Sequence, residues 1–346
     1  MSGALRLTAA GPFSTLQDAG RFGFQRFGVS TAGAFDTVYF QVANLLAGNP
    51  PGTAAIEVTL LGDSYTVTAE SCRVAFAGDF ALSIDETPAA AWRSHRLSRG
   101  QRLRIGAGKT DVRGYLAVAG GFAVTPMLGS VATHSRTGLG GLDGGALKAG
   151  DELPLALSQA PERAELALDA RQLPKRQLPL RVVPGPQGEY FSQAGWDAFL
   201  GSDYLVSREA DRMGYRLSGP RIEHALGYNI ISDGIPLGAI QVPGEGQPIV
   251  LLVDRQTTGG YPKIATMIGP DVAALAQVKS GDALRFAAVT FDAARAIQAE
   301  HRRQMAALAG RLVPVGDVVA PDNHRLLSEN LIGGVVDVTA EEWRLL

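Results

Sequence analysis

Apolar positions in this chain fall mostly in short runs that alternate or stay apolar for a few residues and then stop at glycine, proline or aspartate. Leu5-Arg6-Leu7-Thr8 alternates with a period of two, and Ala55-Ile56-Glu57-Val58-Thr59-Leu60-Leu61, Tyr115-Leu116-Ala117-Val118 and residues 249–253 are β-prone and mainly apolar. Such runs predict strands. Glycine (42) and proline (19) punctuate them so often that many short strands are expected, which favours barrels or sandwiches over a doubly wound sheet. Three stretches carry a helical period instead. Over residues 37–47, Val38, Val42, Leu45 and Leu46 share one face, Asp36 can cap the start and Gly48 can stop the end. Residues 189–200, closed by Gly201, and residues 292–308, with Ile297, Met305 and Leu308 on one stripe, predict two more helices.

The two halves of the chain echo each other. Leu5-Arg6-Leu7-Thr8-Ala9-Ala10-Gly11-Pro12 resembles Leu180-Arg181-Val182-Val183-Pro184-Gly185-Pro186. Ala119-Gly120-Gly121-Phe122 resembles Thr258-Gly259-Gly260-Tyr261, and Leu147-Lys148-Ala149-Gly150-Asp151-Glu152-Leu153 matches Val278-Lys279-Ser280-Gly281-Asp282-Ala283-Leu284. The order is kept while the spacing varies, as expected of a duplicated plan with different loop insertions. The expected organisation is a first barrel over 1–153, a linker over 154–180, a second barrel over 181–311 and an unassigned tail over 312–346. In that tail Gly333-Gly334 followed by Val335-Val336-Asp337-Val338 suggests one added strand.

Composition narrows the function. The chain has 346 residues, enough for two domains, and 46% hydrophobic residues supply a large core. Only 19% are charged, the net charge is −2 and no basic run occurs, which argues against a nucleic-acid partner. No apolar run is long enough to span a bilayer, and the N-terminus reads as a strand, not a signal peptide. A single Cys72 excludes an internal disulfide. The expected location is the cytoplasm.

Several motifs are incomplete. Gly106-Ala107-Gly108-Lys109-Thr110 imitates a phosphate loop, but Leu103 stands where its first glycine belongs and a strand, not a helix, follows; it reads as a hairpin turn. Gly138-Leu139-Gly140-Gly141 has Asp143 in place of the last dinucleotide-fingerprint glycine, and Gly28-Val29-Ser30-Thr31-Ala32 lacks the closing glycine of a nucleophile elbow. The histidines at 95, 134, 224, 301 and 324 have no metal-ligand spacing, and no metal site is expected.

Three polar, glycine-punctuated segments carry the chemical signal: residues 14–36, residues 209–217, and residues 232–263. In the last, the apolar run 249–253 leads into Asp254-Arg255-Gln256-Thr257-Thr258, an arrangement that can floor a polar pocket. Arginine and carboxamide groups hold carboxylate or carbonyl oxygens, and aspartate orients them or moves a proton. The same residues also read as a strand end closed by an Asp254–Arg255 pair.

These segments resemble the family that holds the C subunit of 5-oxoprolinase, the second subunit of allophanate hydrolase and the Kip-type kinase-inhibitor antagonist, which is also the second half of the urea carboxylase carboxyltransferase domain. The likeness rests on Leu16-Gln17-Asp18, Gly20-Arg21-Phe22-Gly23, Ala43-Asn44-Leu45-Leu46, Gly48-Asn49, Ile56-Glu57-Val58-Thr59 and Asp211-Arg212-Met213-Gly214. It continues through Ser232-Asp233-Gly234-Ile235-Pro236, Gly238-Ala239-Ile240-Gln241-Val242-Pro243 and Asp254-Arg255-Gln256-Thr257-Thr258-Gly259-Gly260-Tyr261-Pro262. The resemblance implies a mainly β protein of two cyclophilin-like barrels with a few short helices. It implies a subunit of an ATP-dependent hydrolase that opens 5-oxoproline to glutamate. The partners implied are the first carboxyltransferase-like subunit and the third oxoprolinase subunit, with ATP as co-substrate bound here or on a partner. The alternatives are an allophanate hydrolase or urea carboxylase component, and a non-catalytic regulator that binds a kinase inhibitor. No biotin-attachment lysine is recognisable, since neither Lys109 nor Lys279 has that setting. The implied catalytic residues are Asp211, Arg212, Asp254 and Arg255. A small amide or lactam would meet Gln25, Gln241, Pro243, Gln247, Gln256, Thr257, Gly259, Gly260 and Tyr261.

Overall fold

The structure is a computed structural model and describes residues 3–315; the strand expected near Val335 lies outside them. The chain is mainly β. In the N-terminal half a six-stranded and a seven-stranded sheet face each other. Alternation builds this half directly: in the strand Ser71–Ala77, Val74 and Phe76 point into the core with Leu5, Ile56, Leu103 and Leu116. Ala75 and Ala77 point the other way. Their small side chains, with Ala55 and Ala117, let helix α1 (Thr37–Ala47) lie close on the outer face of the sheet. Asp36 caps α1 through Val38 N–H and Tyr39 N–H, and Gly48 ends it with a left-handed φ of 82°, as the sequence predicts.

The C-terminal half is an eight-stranded sheet whose order begins at Ala283–Leu284 and ends at Phe286–Ala288. Only Arg285 separates those two strands, so the chain itself joins the two edges into a nearly closed barrel. Its core holds Val182, Tyr204, Tyr215, Val250, Ile264 and Phe286. Phe35, from the N-terminal half, is buried in that same core, its ring 6.0 Å edge-on from Tyr215. Helix α2 (Gln193–Gly201) starts at the Ser192 cap; residues 188–190 form only a short 3-10 turn where the sequence suggested continuous helix. Helix α3 (Gly269–Leu275) was not signalled by the sequence, being too short to show a period. Helix α4 (Phe291–Ala307), capped by Thr290, seats Met305 on α1 with Leu308 from the next turn.

Other local differences have plain causes. The strand expected over 249–253 ends at Leu251, because Leu252 N–H and Asp254 N–H bond instead to the carbonyls of Met213 and Arg212. Residues 106–110 do not close a hairpin: Arg102–Gly108 belongs to the six-stranded sheet and Arg113–Val118 to the seven-stranded one, so the turn carries the chain between sheets. Within 154–180, Glu165–Ala167 adds a strand to the seven-stranded sheet, where Glu165 pairs with the buried Arg73 at 3.1 Å. The Gly150 and Gly281 turns share one pattern. Lys148 N–H and Lys279 N–H each donate to the aspartate three residues on at 2.8 Å, and both glycines have positive φ.

Candidate functional site

Besides the buried Asp271, which pairs with Arg181, charged residues are buried in two places on the C-terminal half, and the two differ in how fully the charges are compensated. The first is where the halves meet. Ile56 and Val58 face the core, so Glu57 between them turns outward and is 1% exposed beneath the other half. Arg212 donates from Nη1 to Glu57 Oε1 at 2.6 Å and from Nε and Nη2 to the two oxygens of Asp254 at 2.9 and 3.0 Å. Its Nη2 also reaches the Gly33 carbonyl at 2.7 Å. Glu57 Oε2 accepts from Phe35 N–H at 3.0 Å and from the Tyr115 hydroxyl. Burial alone would raise the Glu57 carboxyl, but Arg212 and then Arg113 outweigh it and hold it below the usual carboxylate range. Burial would likewise lower Arg212, and Glu57 and Asp254 reverse that. All three nitrogens of Arg212 are bonded, so its guanidinium is saturated, and the cluster fastens one half to the other.

The second place surrounds a small ribbon, Asp233–Gly234 paired with Thr258–Gly259. Arg255 is 4% exposed and donates from Nε to the Ile235 carbonyl at 2.9 Å and from Nη1 to the Leu252 carbonyl at 3.1 Å. No carboxylate lies within ion-pair distance of it among the described residues, and burial lowers its pKa to about 10. On the other side of the ribbon, Lys263 stands directly opposite Gln241 in the main sheet. Lys263 is 1% exposed; its Nζ lies 3.0 Å from Asp233 Oδ2 but makes no directed hydrogen bond. That contact holds the Asp233 carboxyl below its ordinary range. Gln241 Nε2 donates to the Tyr261 carbonyl at 3.3 Å, and Gln187 Oε1 accepts from Lys263 N–H at 3.2 Å. A Cβ on Gly259 would fall 2.7 Å from Gln241 Nε2 and 2.8 Å from Ile235 Cδ1, so any larger residue would push the ends of those two side chains aside. Two cationic groups and a carboxamide around one ribbon can attract an anion and hold a carbonyl or carboxylate oxygen.

The family described as "Carboxyltransferase domain, subdomain A and B" matches residues 27–288. The chain is 38% identical to the 5-oxoprolinase C subunit of Escherichia coli over 317 residues, covering 89% of this chain and 98% of the relative. It is 36% identical to the 5-oxoprolinase C subunit of Haemophilus influenzae over 281 residues, covering 81% and 90%. The chain belongs to the carboxyltransferase-domain family. Its fold matches the crystal structure of K. lactis urea amidolyase with a TM-score of 0.82 at 26% identity, covering 91% of this chain and 20% of that one.

In this member of the carboxyltransferase-domain family, the residues expected at the site divide into groups. Arg255, Thr257, Gly259, Gly260, Tyr261 and Gln241 converge on the ribbon: the Thr257 carbonyl accepts from Ile235 N–H at 3.0 Å and the Gly260 carbonyl from Ile230 N–H at 2.9 Å. Arg212 and Asp254 belong to the cluster between the halves, so Asp254 pairs with Arg212 and not with its neighbour Arg255. Asp211 shapes a turn, Oδ1 accepting from Met213 N–H and Gly214 N–H while Oδ2 meets the exposed Arg136 at 3.0 Å. Gln247 clasps the Gly219 backbone at 2.9 and 3.1 Å and lines, with Pro243, a separate surface groove of about 400 Å³. Gln256 is exposed, as is Gln25 on the one-turn helix Gln25–Phe27. Lys263, Asp233, Gln187 and Glu57 were not singled out from the sequence. Glu57 had a readable signal, a lone acid inside an apolar strand; Lys263 had none. A cavity of about 1010 Å³ lies elsewhere, between α1, α3, α4 and residues 170–177. Two of its arginines are paired, Arg181 with Asp271 at 2.5 Å and Arg176 with Asp111 at 3.3 Å, and none of its lining residues belongs to the polar segments 14–36, 209–217 and 232–263 apart from Asp36, which caps α1.

Proposed function

We propose that this chain acts as the C subunit of a 5-oxoprolinase, opening 5-oxoproline to glutamate together with partner subunits at the expense of ATP. The observation that carries the reading is likeness in sequence: 38% and 36% identity over 98% and 90% of two 5-oxoprolinase C subunits, against 31% and 28% for two urea amidolyases. Arg255 supplies an uncompensated positive charge for an anionic substrate, and Gln241, Thr257 and Tyr261 line its approach. Arg212 and Asp254 act indirectly, holding the strand end from which Arg255 projects. Ile231 (94% exposed) and Tyr261, on segments joined by the bond from Ile230 N–H to the Gly260 carbonyl, form an apolar edge beside the ribbon that the first carboxyltransferase-like subunit would cover, sealing the site from water. The ATP site then lies on a partner, and the assembly works in the cytoplasm; no helix among the described residues is long and apolar enough to cross a membrane.

The test is reconstitution with the partner subunits and an assay for glutamate and ADP. The isolated chain should be inactive and the assembly active on 5-oxoproline. An assembly that hydrolyses allophanate, or carboxylates urea, but leaves 5-oxoproline untouched would overturn the reading.

A further inference from the structure

Lys263 is the one lysine buried among the described residues. Taking an ammonium out of water costs several kcal/mol unless its three donors find acceptors. Here the compensation is poor: one contact to Asp233, 3.0 Å long and without hydrogen-bond geometry. Asp233 itself is half exposed and sits on a two-residue strand held by only one neighbour strand. Gln241 stands opposite Lys263 at a bulge that leaves Ile264 without a partner; Ile240, Val242 and Ile264 all point into the core, so Gln241 and Lys263 share the other face of the sheet. The Gln241 amide nitrogen is spent on a single long bond of 3.3 Å. Gly259 borders the two and cannot carry a side chain without striking Gln241. A buried ammonium and a buried carboxamide therefore stand side by side, and among the described residues the only counter-charge within ion-pair distance of the ammonium is the half-exposed Asp233.

We propose that Lys263 and Gln241 form a seat for one negatively charged oxygen of the substrate, with Asp233 as a resting counter-ion that gives way when the substrate enters. The identity of that substrate rests on the 5-oxoprolinase reading. The oxygen is then either the lactam's carboxylate or its carbonyl oxygen as charge builds on it. The chemistry of recognition is the same, and kinetics separates the two sources.

The experiment uses the assembled complex carrying Lys263→Met, with Gln241→Leu as a second variant and melting temperature measured on each. A seat for the carboxylate predicts a KM for 5-oxoproline raised about tenfold to hundredfold at kept kcat, with inhibition by 2-pyrrolidone, which lacks the carboxylate, unchanged. A seat for the carbonyl oxygen predicts kcat lowered about 10²- to 10³-fold at kept KM. Either result supports the seat. Wild-type constants in a stably folded Lys263→Met complex overturn it. So does a loss of activity that tracks the folded fraction. If Lys263→Met does not fold, the same split in Gln241→Leu decides. If the wild-type complex leaves 5-oxoproline untouched, the functional reading fails by itself. The seat is then judged on the full chain by the rise in melting temperature with propionate, present in wild type and absent in Lys263→Met if the seat is real, and absent in both if it is not.

Discussion

Arg212 and Glu57 are 155 positions apart in the chain and 2.6 Å apart in space, the guanidinium of the C-terminal half closing on a carboxylate from the N-terminal sheet. The same guanidinium holds Asp254 with two further bonds, so one side chain binds two buried acids, with Arg113 as the second positive charge 3.7 Å from Glu57. Arg255, the residue after Asp254, is left with its charge unspent.

Removing the keystone should be costly. Arg212→Met would leave Glu57 and Asp254 buried with their main counter-charge gone, and breaking a buried pair from one side typically costs about 3–5 kcal/mol. Urea unfolding should show a loss of that size. A loss below about 1 kcal/mol would mean that the cluster is hydrated and not a fastening.

Acid should loosen the same joint. The folded pKa of Glu57 is held below its ordinary value, so its contribution to stability is complete above about pH 4.3 and is lost as pH falls through the depressed folded value. Asp36 has the opposite sign: burial raises its carboxyl, so the folded state takes up that proton first and gains stability as pH falls. Glu57→Gln should therefore flatten the acid limb of the stability curve, and Asp36→Asn, which keeps a capping side chain, should steepen it. Denaturation midpoints from about pH 7 to about pH 3 check both directions.

Arg255→Met separates binding from architecture. The variant loses hydrogen bonds to two backbone carbonyls but also an uncompensated buried charge, so its melting temperature should stay close to wild type. Turnover of the assembled complex should fall about tenfold to hundredfold, the equivalent of one charge-assisted bond. Early melting with near-normal turnover would make Arg255 a structural residue only.

Gly259→Ala tests the space beside Gln241. The new methyl would meet Gln241 and the Ile235 side chain well inside contact distance, displacing the ribbon that carries Asp233. Turnover should drop by about tenfold or more while circular dichroism stays that of wild type, because the ribbon lies apart from the main sheets. Unchanged turnover would show that the ribbon is not at the site.

What the sequence determined by itself was local. Strand runs, the Asp36 cap and Gly48 stop of α1, and the paired Gly150 and Gly281 turns all follow from period, capping and turn chemistry within a few residues. The polar segment 232–263 was legible for the same reason, as a glycine-punctuated stretch after an apolar strand. Tertiary structure alone decided which charges cancel. Asp254 could pair with its neighbour Arg255 on paper, but adjacent side chains diverge, and the fold brought Arg212 to it from 42 positions away and Glu57 of the other half to the same guanidinium. Lys263 looked like an ordinary polar residue after a proline, and became a buried ammonium only because its strand was paired with Gln241 on one side and covered by the Asp233 ribbon. Burial and pairing are set by contacts between distant segments, and no local pattern encodes them.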